Sequence, residues 1–178
     1  MKVFACISAA FLLLSMYSVG ATLEATCKQV TSPPVHGFDF DFCKTSLQVV
    51  PGSEKADTLG LSLIAASLAL ANFMHNQAKA TELLRDKNLS KPTRNILTDC
   101  QRFYSDDADD LKRAIEALKS GKFNLSDIKT YLVNASDDVE TCIESWEDLD
   151  QKSLMPKEED DAEKISRLAL AVTALLRP

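Results

Sequence analysis

Apolar residues recur every three or four positions along most of this 178-residue chain, which is the spacing of amphipathic helices. Over residues 128–149 every step in the apolar series is three or four residues, and over residues 97–118 apolar side chains stand seven apart. Two further helices are predicted over residues 57–86 and 157–177. The positions predicted to face inward are, helix by helix, Ile64, Leu68, Ala71 and Ala78; Leu97, Cys100, Tyr104, Ala108, Leu111, Ile115 and Leu118; Ile128, Leu132, Ala135, Val139, Cys142, Trp146 and Leu149; and Ile165, Leu168, Val172 and Leu175.

The residues between these segments favour four antiparallel helices. Pro92 and Pro156 stand where the first turn of a helix tolerates a missing backbone N–H, and Gly121 follows its helix as a C-terminal cap does. The predicted connections are short, at residues 88–92, 121–124 and 151–156. Short connections join antiparallel neighbours, so the sequence predicts an all-α fold, an up-down-up-down four-helix bundle over residues 53–178.

Residues 1–21 have the pattern of a signal peptide. Lys2 precedes an apolar run over residues 3–14, small residues follow, and cleavage is expected after Ala21. The apolar run is too short to span a bilayer comfortably, and no second span is predicted later in the chain, so no membrane partner is expected. A secreted protein is therefore predicted.

Residues 22–52 are expected to form a helical hairpin that precedes the bundle, because the segment is too small to hold a core by itself. It carries Phe38, Phe40 and Phe42 at alternate positions. Packing of these rings onto the bundle is favoured over an exposed binding patch. Contact with another molecule, as in a weak homodimer through the hairpin, is the alternative.

Cysteine spacing adds two predicted disulfides. Of the five cysteines, Cys6 leaves with the signal peptide, and an even set of four remains in a secreted chain. Four cysteines allow three pairings, and proximity favours Cys27 with Cys43. Cys100 and Cys142 lie at equal distance from Gly121, so two antiparallel helices turning there would bring them level, about 21 residues or roughly 32 Å from the turn.

The charge pattern argues against several function classes. The formal net charge is −6, and removal of Lys2 with the signal peptide makes it −7, which makes nucleic acid an improbable partner. Acidic runs at 106–110 and 158–161 lack the spacing of a calcium loop and are interpreted as solvated helix faces. Three glycosylation sequons, which agree with secretion, begin at Asn88, Asn124 and Asn134.

Candidate catalytic chemistry is sparse. The histidines are His36 and His75, and His75 is interpreted as a core or edge residue of its helix. No zinc spacing, glycine-rich phosphate loop or di-iron motif occurs in the sequence, so no metal or cofactor is expected. A secreted bundle without reactive groups is expected to act by binding rather than as an enzyme.

Three short motifs carry a family resemblance. They are Phe38-Asp39-Phe40-Asp41-Phe42-Cys43, Leu97-Thr98-Asp99-Cys100-Gln101-Arg102-Phe103-Tyr104 and Asp137-Asp138-Val139-Glu140-Thr141-Cys142. With the cysteine spacing, they resemble the plant invertase and pectin methylesterase inhibitor family over essentially the whole mature chain, and within it the short pollen proteins described as invertase inhibitors, some of them plane-tree allergens.

The resemblance implies an α-hairpin with Cys27–Cys43 and a bundle with Cys100–Cys142. It also implies an enzyme partner, acid invertase or pectin methylesterase, whose cleft the inhibitor covers in a complex expected to be 1:1. The location that the resemblance implies is the apoplast, with the vacuole as an alternative. Invertase inhibitors of this family carry a Pro-Lys-Phe motif between the second and third bundle helices, where this chain has Gly121-Lys122-Phe123.

Gly121, Lys122 and Phe123 are therefore the predicted target-binding residues. An ammonium group can pair with acidic residues of a sugar pocket while an aromatic ring stacks on its wall. Glycine in place of proline is expected to loosen the loop, and a glycan on Asn124 could obstruct it. The competing interpretation is a helix C-cap without a binding role. Pectin methylesterase inhibition through the helix faces, around Asp106 to Asp110, and a carrier of apolar ligands are the alternative functions.

Overall fold

The computed structural model describes residues 22–32 and 37–177, and within them all regular structure is helical. The elements are α1 (Leu23–Val30), α2 (Phe40–Gln48), a 3₁₀ turn (Ser53–Lys55), α3 (Thr58–Leu83), α4 (Lys91–Ser120), α5 (Leu125–Asp148) and α6 (Pro156–Thr173). Helix α3 packs against α4 and α6, and α5 packs against the same two helices. This closed arrangement confirms the predicted all-α four-helix bundle. The predicted signal peptide lies outside the described residues.

Side-chain caps fix the starts of three bundle helices. Asp57 accepts the N–H of Gly60 at 2.8 Å, Ser90 accepts that of Thr93 at 3.2 Å, and Asn124 accepts that of Ser126 at 3.0 Å. Each cap satisfies a backbone N–H that has no partner inside its helix. Helix α6 instead begins at a proline and has no side-chain cap.

The predicted core of α4 and α5 is confirmed. All seven inward positions of α4 are buried, as are six of the seven in α5. The exception is Leu149, which is 48% exposed because α5 ends one residue earlier. Tyr104 of α4 meets Phe73 of α3 edge to face at 5.5 Å between ring centroids.

The predicted inward face of α3 is wrong in part. Ala71 and Ala78 are exposed, whereas Ile64 and Leu68 are half-buried and pack against the edge of the core. The buried positions are Leu61, Ser62, Ala65, Ala66, Ala69, Phe73, Asn76 and Ala80. Residues 58–78 contain no Asp, Glu, Lys or Arg, so the helix has no charged side to mark its outer face.

Both disulfides have the suggested pairing. Cys27 and Cys43 join α1 to α2 with 5.6 Å between their Cα atoms, and Cys100 and Cys142 join α4 to α5 with 5.5 Å. The four cysteines are 0–1% exposed. The hairpin of α1 and α2 rests on the bundle, with Phe38 buried, and Phe40 and Phe42 half-buried against the common core.

Candidate binding surface

The loop between α4 and α5 is held by hydrogen bonds on both sides of Gly121. Gly121 has a φ of 64°, and its N–H donates to the Leu118 carbonyl at 3.3 Å. The Ser120 hydroxyl donates to the Ala117 carbonyl at 2.7 Å and accepts the N–H of Lys122 at 3.1 Å. Gly121 is thus a left-handed helix cap, the geometry of the competing C-cap interpretation, and these hydrogen bonds close the turn.

The side chains of this loop, called the tip below, differ in exposure. Lys122 is exposed, and none of the ion pairs found in residues 22–32 and 37–177 involves it. Phe123 is half-buried and packs against the core of the bundle. The tip therefore presents an exposed ammonium group beside a phenyl ring that is half-buried against the core.

Asn124 makes two hydrogen bonds at the start of α5. Its Oδ1 caps the helix, and its Nδ2 donates to Asp127 Oδ1 at 3.2 Å. A glycan attached at Nδ2 would leave Oδ1 free, so glycosylation is compatible with the cap. The sugar would then stand one residue from Phe123. All three sequon asparagines, Asn88, Asn124 and Asn134, are exposed.

One acidic residue is not on a solvated face. Asp107, in the run interpreted as surface, is 3% exposed, and its Oδ2 has no hydrogen-bond partner in the described part of the chain. Its pKa is raised to about 8, chiefly by burial and further by the negative charges of Asp138, Asp110 and Asp106. Its spacing gives the reason: position 107 lies three residues after Tyr104 and four before the next buried leucine, on the inner stripe of α4.

The exposed face of α5 is strongly acidic. No Lys or Arg occurs over residues 130–151. Its exposed carboxylates stand three or four residues apart at Asp137, Glu140, Glu144 and Glu147, and Asp148 follows directly. The ion pair found for this set joins Glu140 to Arg167 at 3.5 Å. In α4 and α6, by contrast, several carboxylates pair with a Lys or Arg of the same helix. The acidic face of α5 is thus a mostly unneutralised polar surface.

The interior offers no catalytic or carrier chemistry in the described residues. His75 is exposed, contrary to the predicted core or edge position, because α3 is rotated from the expected face, and His36 lies outside the described residues. No group of three or more potential metal ligands was found among the residues described. Tyr104, Leu118 and Trp146 are at most 2% exposed and fill the bundle centre, which argues against an apolar-ligand carrier.

Comparison with known proteins places this arrangement in a family. The family model described as plant invertase/pectin methylesterase inhibitor matches residues 21–172. A protein of Platanus orientalis named "Putative invertase inhibitor" is 31% identical over 157 residues, covering 86% of this chain and 89% of that protein. A protein of the same name from Platanus acerifolia is 31% identical over 170 residues, covering 93% and 90%.

A solved structure agrees in fold. The crystal structure of a mutant form of a pectin methylesterase inhibitor from Arabidopsis superposes with a TM-score of 0.65 at 17% identity, covering 78% of this chain and 90% of that one. At this identity the likeness concerns the fold alone. From the family match over most of the chain, we conclude that this protein belongs to the plant invertase/pectin methylesterase inhibitor family, whose members are inhibitors rather than enzymes.

Proposed function

We propose that this protein is a secreted inhibitor of plant acid invertase, which it binds 1:1 and blocks at the active-site cleft. The observation that carries the proposal is the exposed, unpaired Lys122 beside Phe123 at the end of the bundle. The names of the two Platanus relatives favour the same target. A glycosidase cleft carries carboxylates, and a desolvated ammonium–carboxylate pair is among the stronger polar contacts.

The order of the tip supports this use. A loop held by internal hydrogen bonds loses less conformational entropy when it binds. The two hydrogen bonds of Ser120 and the capping bond of Gly121 provide that order. Proline cannot adopt a φ of 64°, so a Pro-Lys-Phe tip must have a different backbone at position 121. In the proposed complex Lys122 would therefore enter the target from a glycine-capped turn.

The test is inhibition of a purified acid invertase at mildly acidic pH by the wild type and by Lys122→Ala. Loss of one desolvated charge pair is expected to weaken inhibition by 10-fold to several hundred-fold. Lys119→Ala is the matched control, because Lys119 is also exposed and lies in the last turn of α4. Equal inhibition by all three proteins would remove the tip from the mechanism.

Pectin methylesterase is the second candidate target, and the acidic face of α5 favours it. Five exposed carboxylates on one helix provide a broad polar surface of the kind that rims protein interfaces. A parallel assay should compare Glu144→Lys with Thr130→Lys, which makes an exposed substitution on α5 away from the run of carboxylates. Loss of pectin methylesterase inhibition by Glu144→Lys alone would support this target. Inhibition of invertase only would exclude it.

A further inference from the structure

Four buried hydroxyl groups belong to the elements that join the hairpin to the bundle, and none has a hydrogen-bond partner among the residues that the structure describes. They are those of Thr26 on α1, Ser53 in the 3₁₀ turn, Ser62 on α3 and Thr173 on α6, and each residue is at most 1% exposed. A buried hydroxyl without a partner is costly, because it has given up its hydrogen bonds to water. Four such groups in neighbouring elements therefore indicate a shared partner.

The register of α3 and α6 places Ser62 beside Thr173. The two helices run antiparallel, and Asn76 Nδ2 donates to the Glu158 carbonyl at 2.8 Å, which fixes the level at which they pair. Ser62 lies fourteen residues before Asn76, and residue 172 lies fourteen residues after Glu158. Ser62 is therefore level with the residue that directly precedes Thr173, at one end of the seam between the two helices.

The other two hydroxyls reach the same end of the bundle from the hairpin. Ser53 begins the 3₁₀ turn that leads into α3, and α1 packs against both this turn and α6. Thr26 lies on the buried side of α1, together with Leu23, Cys27 and Val30. The four hydroxyls thus belong to elements that pack on one another at a single junction.

The helical hydroxyls of this junction do not bond to their own helices. A Ser or Thr in a helix commonly donates to the carbonyl three or four residues earlier, as the fully buried Ser166 of α6 does to Glu163 at 3.0 Å. Thr26, Ser62 and Thr173 make no such bond within the described part of the chain. Their hydroxyls are therefore available to a partner in the junction.

We propose that ordered water molecules are buried at this junction and bridge the four hydroxyls. A water molecule both donates and accepts hydrogen bonds, as a hydroxyl does, and a buried water typically has about three polar partners. The four groups are neutral, so they do not select an ion. The neighbouring Ala65, Ala66 and Ala169 are small and fully buried, which limits the occupant to a molecule of the size of water. Folded proteins hold about one buried water per 27 residues, so a chain of this length accommodates several.

Buried water at this junction changes how the hairpin is held. Cys27–Cys43 lies within the hairpin and Cys100–Cys142 within the bundle, so neither disulfide joins the two units. The hairpin is held on the bundle by apolar contacts such as that of Phe38, which is buried in the common core. The bridging waters add polar contacts to this packing, and the solvent becomes part of the folded structure.

The sign of a change in Tm separates a bridging water from an unpaired hydroxyl. Ser62→Ala and Thr173→Val should each lower the Tm by roughly 2–4 °C, because each removes a partner of the buried water. Replacing an unpaired hydroxyl would instead raise the Tm. The double variant should lose about as much as the more damaging single variant, since both substitutions act on the same water. Ser67→Ala and Thr130→Val are the matched controls, because both residues are exposed and both hydroxyls bond within their own helices.

A crystal structure of the wild type at atomic resolution is the second measurement, and it does not depend on how the variants fold. We expect electron density for a water molecule within hydrogen-bond distance of two or more of the four hydroxyls. The proposal is overturned if Ser62→Ala and Thr173→Val raise the Tm relative to their controls, if their effects add, or if the density shows these hydroxyls bonded to carbonyls of their own helices. Neither measurement involves invertase, so this inference and the proposed inhibitory tip stand or fall separately.

Discussion

The buried carboxyl of Asp107 is expected to make the stability of this bundle depend on pH. The groups around it are Asp106 and Asp110 on its own helix and Asp138 on α5, and all of them raise its pKa. With a folded-state pKa of about 8 against an ordinary value of 3.8, the folded protein holds this proton more tightly than the unfolded chain. The resulting stabilisation is complete below about pH 4 and is lost as the pH rises towards 8.

The size of the effect follows from the pKa difference. A shift of about four pH units corresponds to roughly 5 kcal/mol of unfolding free energy, an upper limit because local opening admits water to the carboxylate. Burial also raises the pKa of Asp138 and Glu159, which changes stability in the same direction. The lowered pKa values of Glu24 and Asp109 act in the opposite direction, but both groups are fully exposed. A net loss of about 2–5 kcal/mol between pH 4 and pH 8 is expected.

Asp107→Asn removes the titration while keeping the shape of the side chain. The buried amide will have unpaired N–H groups, which cost about 1–3 kcal/mol, so the variant should be less stable than the wild type at pH 4. At pH 8 it should be the more stable protein, because no charge is buried. Urea unfolding followed by far-ultraviolet circular dichroism at pH 4, 6 and 8 measures both curves.

Asp106→Asn is the matched control, because Asp106 is the neighbouring residue and is exposed. Its pH dependence should be close to that of the wild type and only slightly weaker, because the charge of Asp106 is the smallest of the causes that raise the pKa of Asp107. A wild type that is as stable at pH 8 as at pH 4 would refute the reasoning, and so would an Asp107→Asn curve parallel to that of the wild type.

Three further predictions concern the stability of the bundle and of its tip. Gly121→Ala should lower the free energy of unfolding by about 1–2 kcal/mol. The added methyl group meets open space, so the strain comes only from the φ of 64°. Thermal unfolding should show a lowered Tm, and an unchanged Tm would contradict this prediction. Trp146→Phe removes the 2.8 Å hydrogen bond from Nε1 to the buried Glu159 carboxylate and should cost about 1–3 kcal/mol in urea unfolding; a smaller loss than an exposed substitution gives would mean that the bond contributes nothing. Replacing both Cys100 and Cys142 with alanine opens a loop of 42 residues and should lower the free energy of unfolding by up to about 4 kcal/mol. An unchanged free energy of unfolding would mean that the disulfide does not restrict the unfolded chain.

The sequence predicted the faces of α4 and α5 because each helix alternates charged and apolar sides. It failed for α3, where the apolar residues run all the way round and Ala71 and Ala78 were assigned to the core. The face that packs inward is decided there by tertiary fit, chiefly by Phe73 reaching Tyr104, and no local pattern encodes that choice.

Asp107 was predicted wrongly for the opposite reason. Its charged residue type suggested a surface position, although its place in the helical repeat indicated a buried one. A run of four aspartates around one alanine suggests solvent, yet the spacing from Tyr104 already placed the second aspartate on the inner stripe. The sequence correctly placed a loop after Gly121. It did not predict that Phe123 packs against the core, because that contact depends on how α4 and α5 pack together and not on residue spacing.

The disulfide between α4 and α5 also determines what a protease can do to the tip. Cys100 and Cys142 lie on opposite sides of the loop in sequence, with Lys122 between them. A trypsin-like cut after this exposed lysine would produce two chains that remain covalently joined and held in the same bundle. Such a nicked protein would keep its fold and its mass on a non-reducing gel, separate into two fragments on reduction, and lose only the continuity of the loop that we propose enters the target.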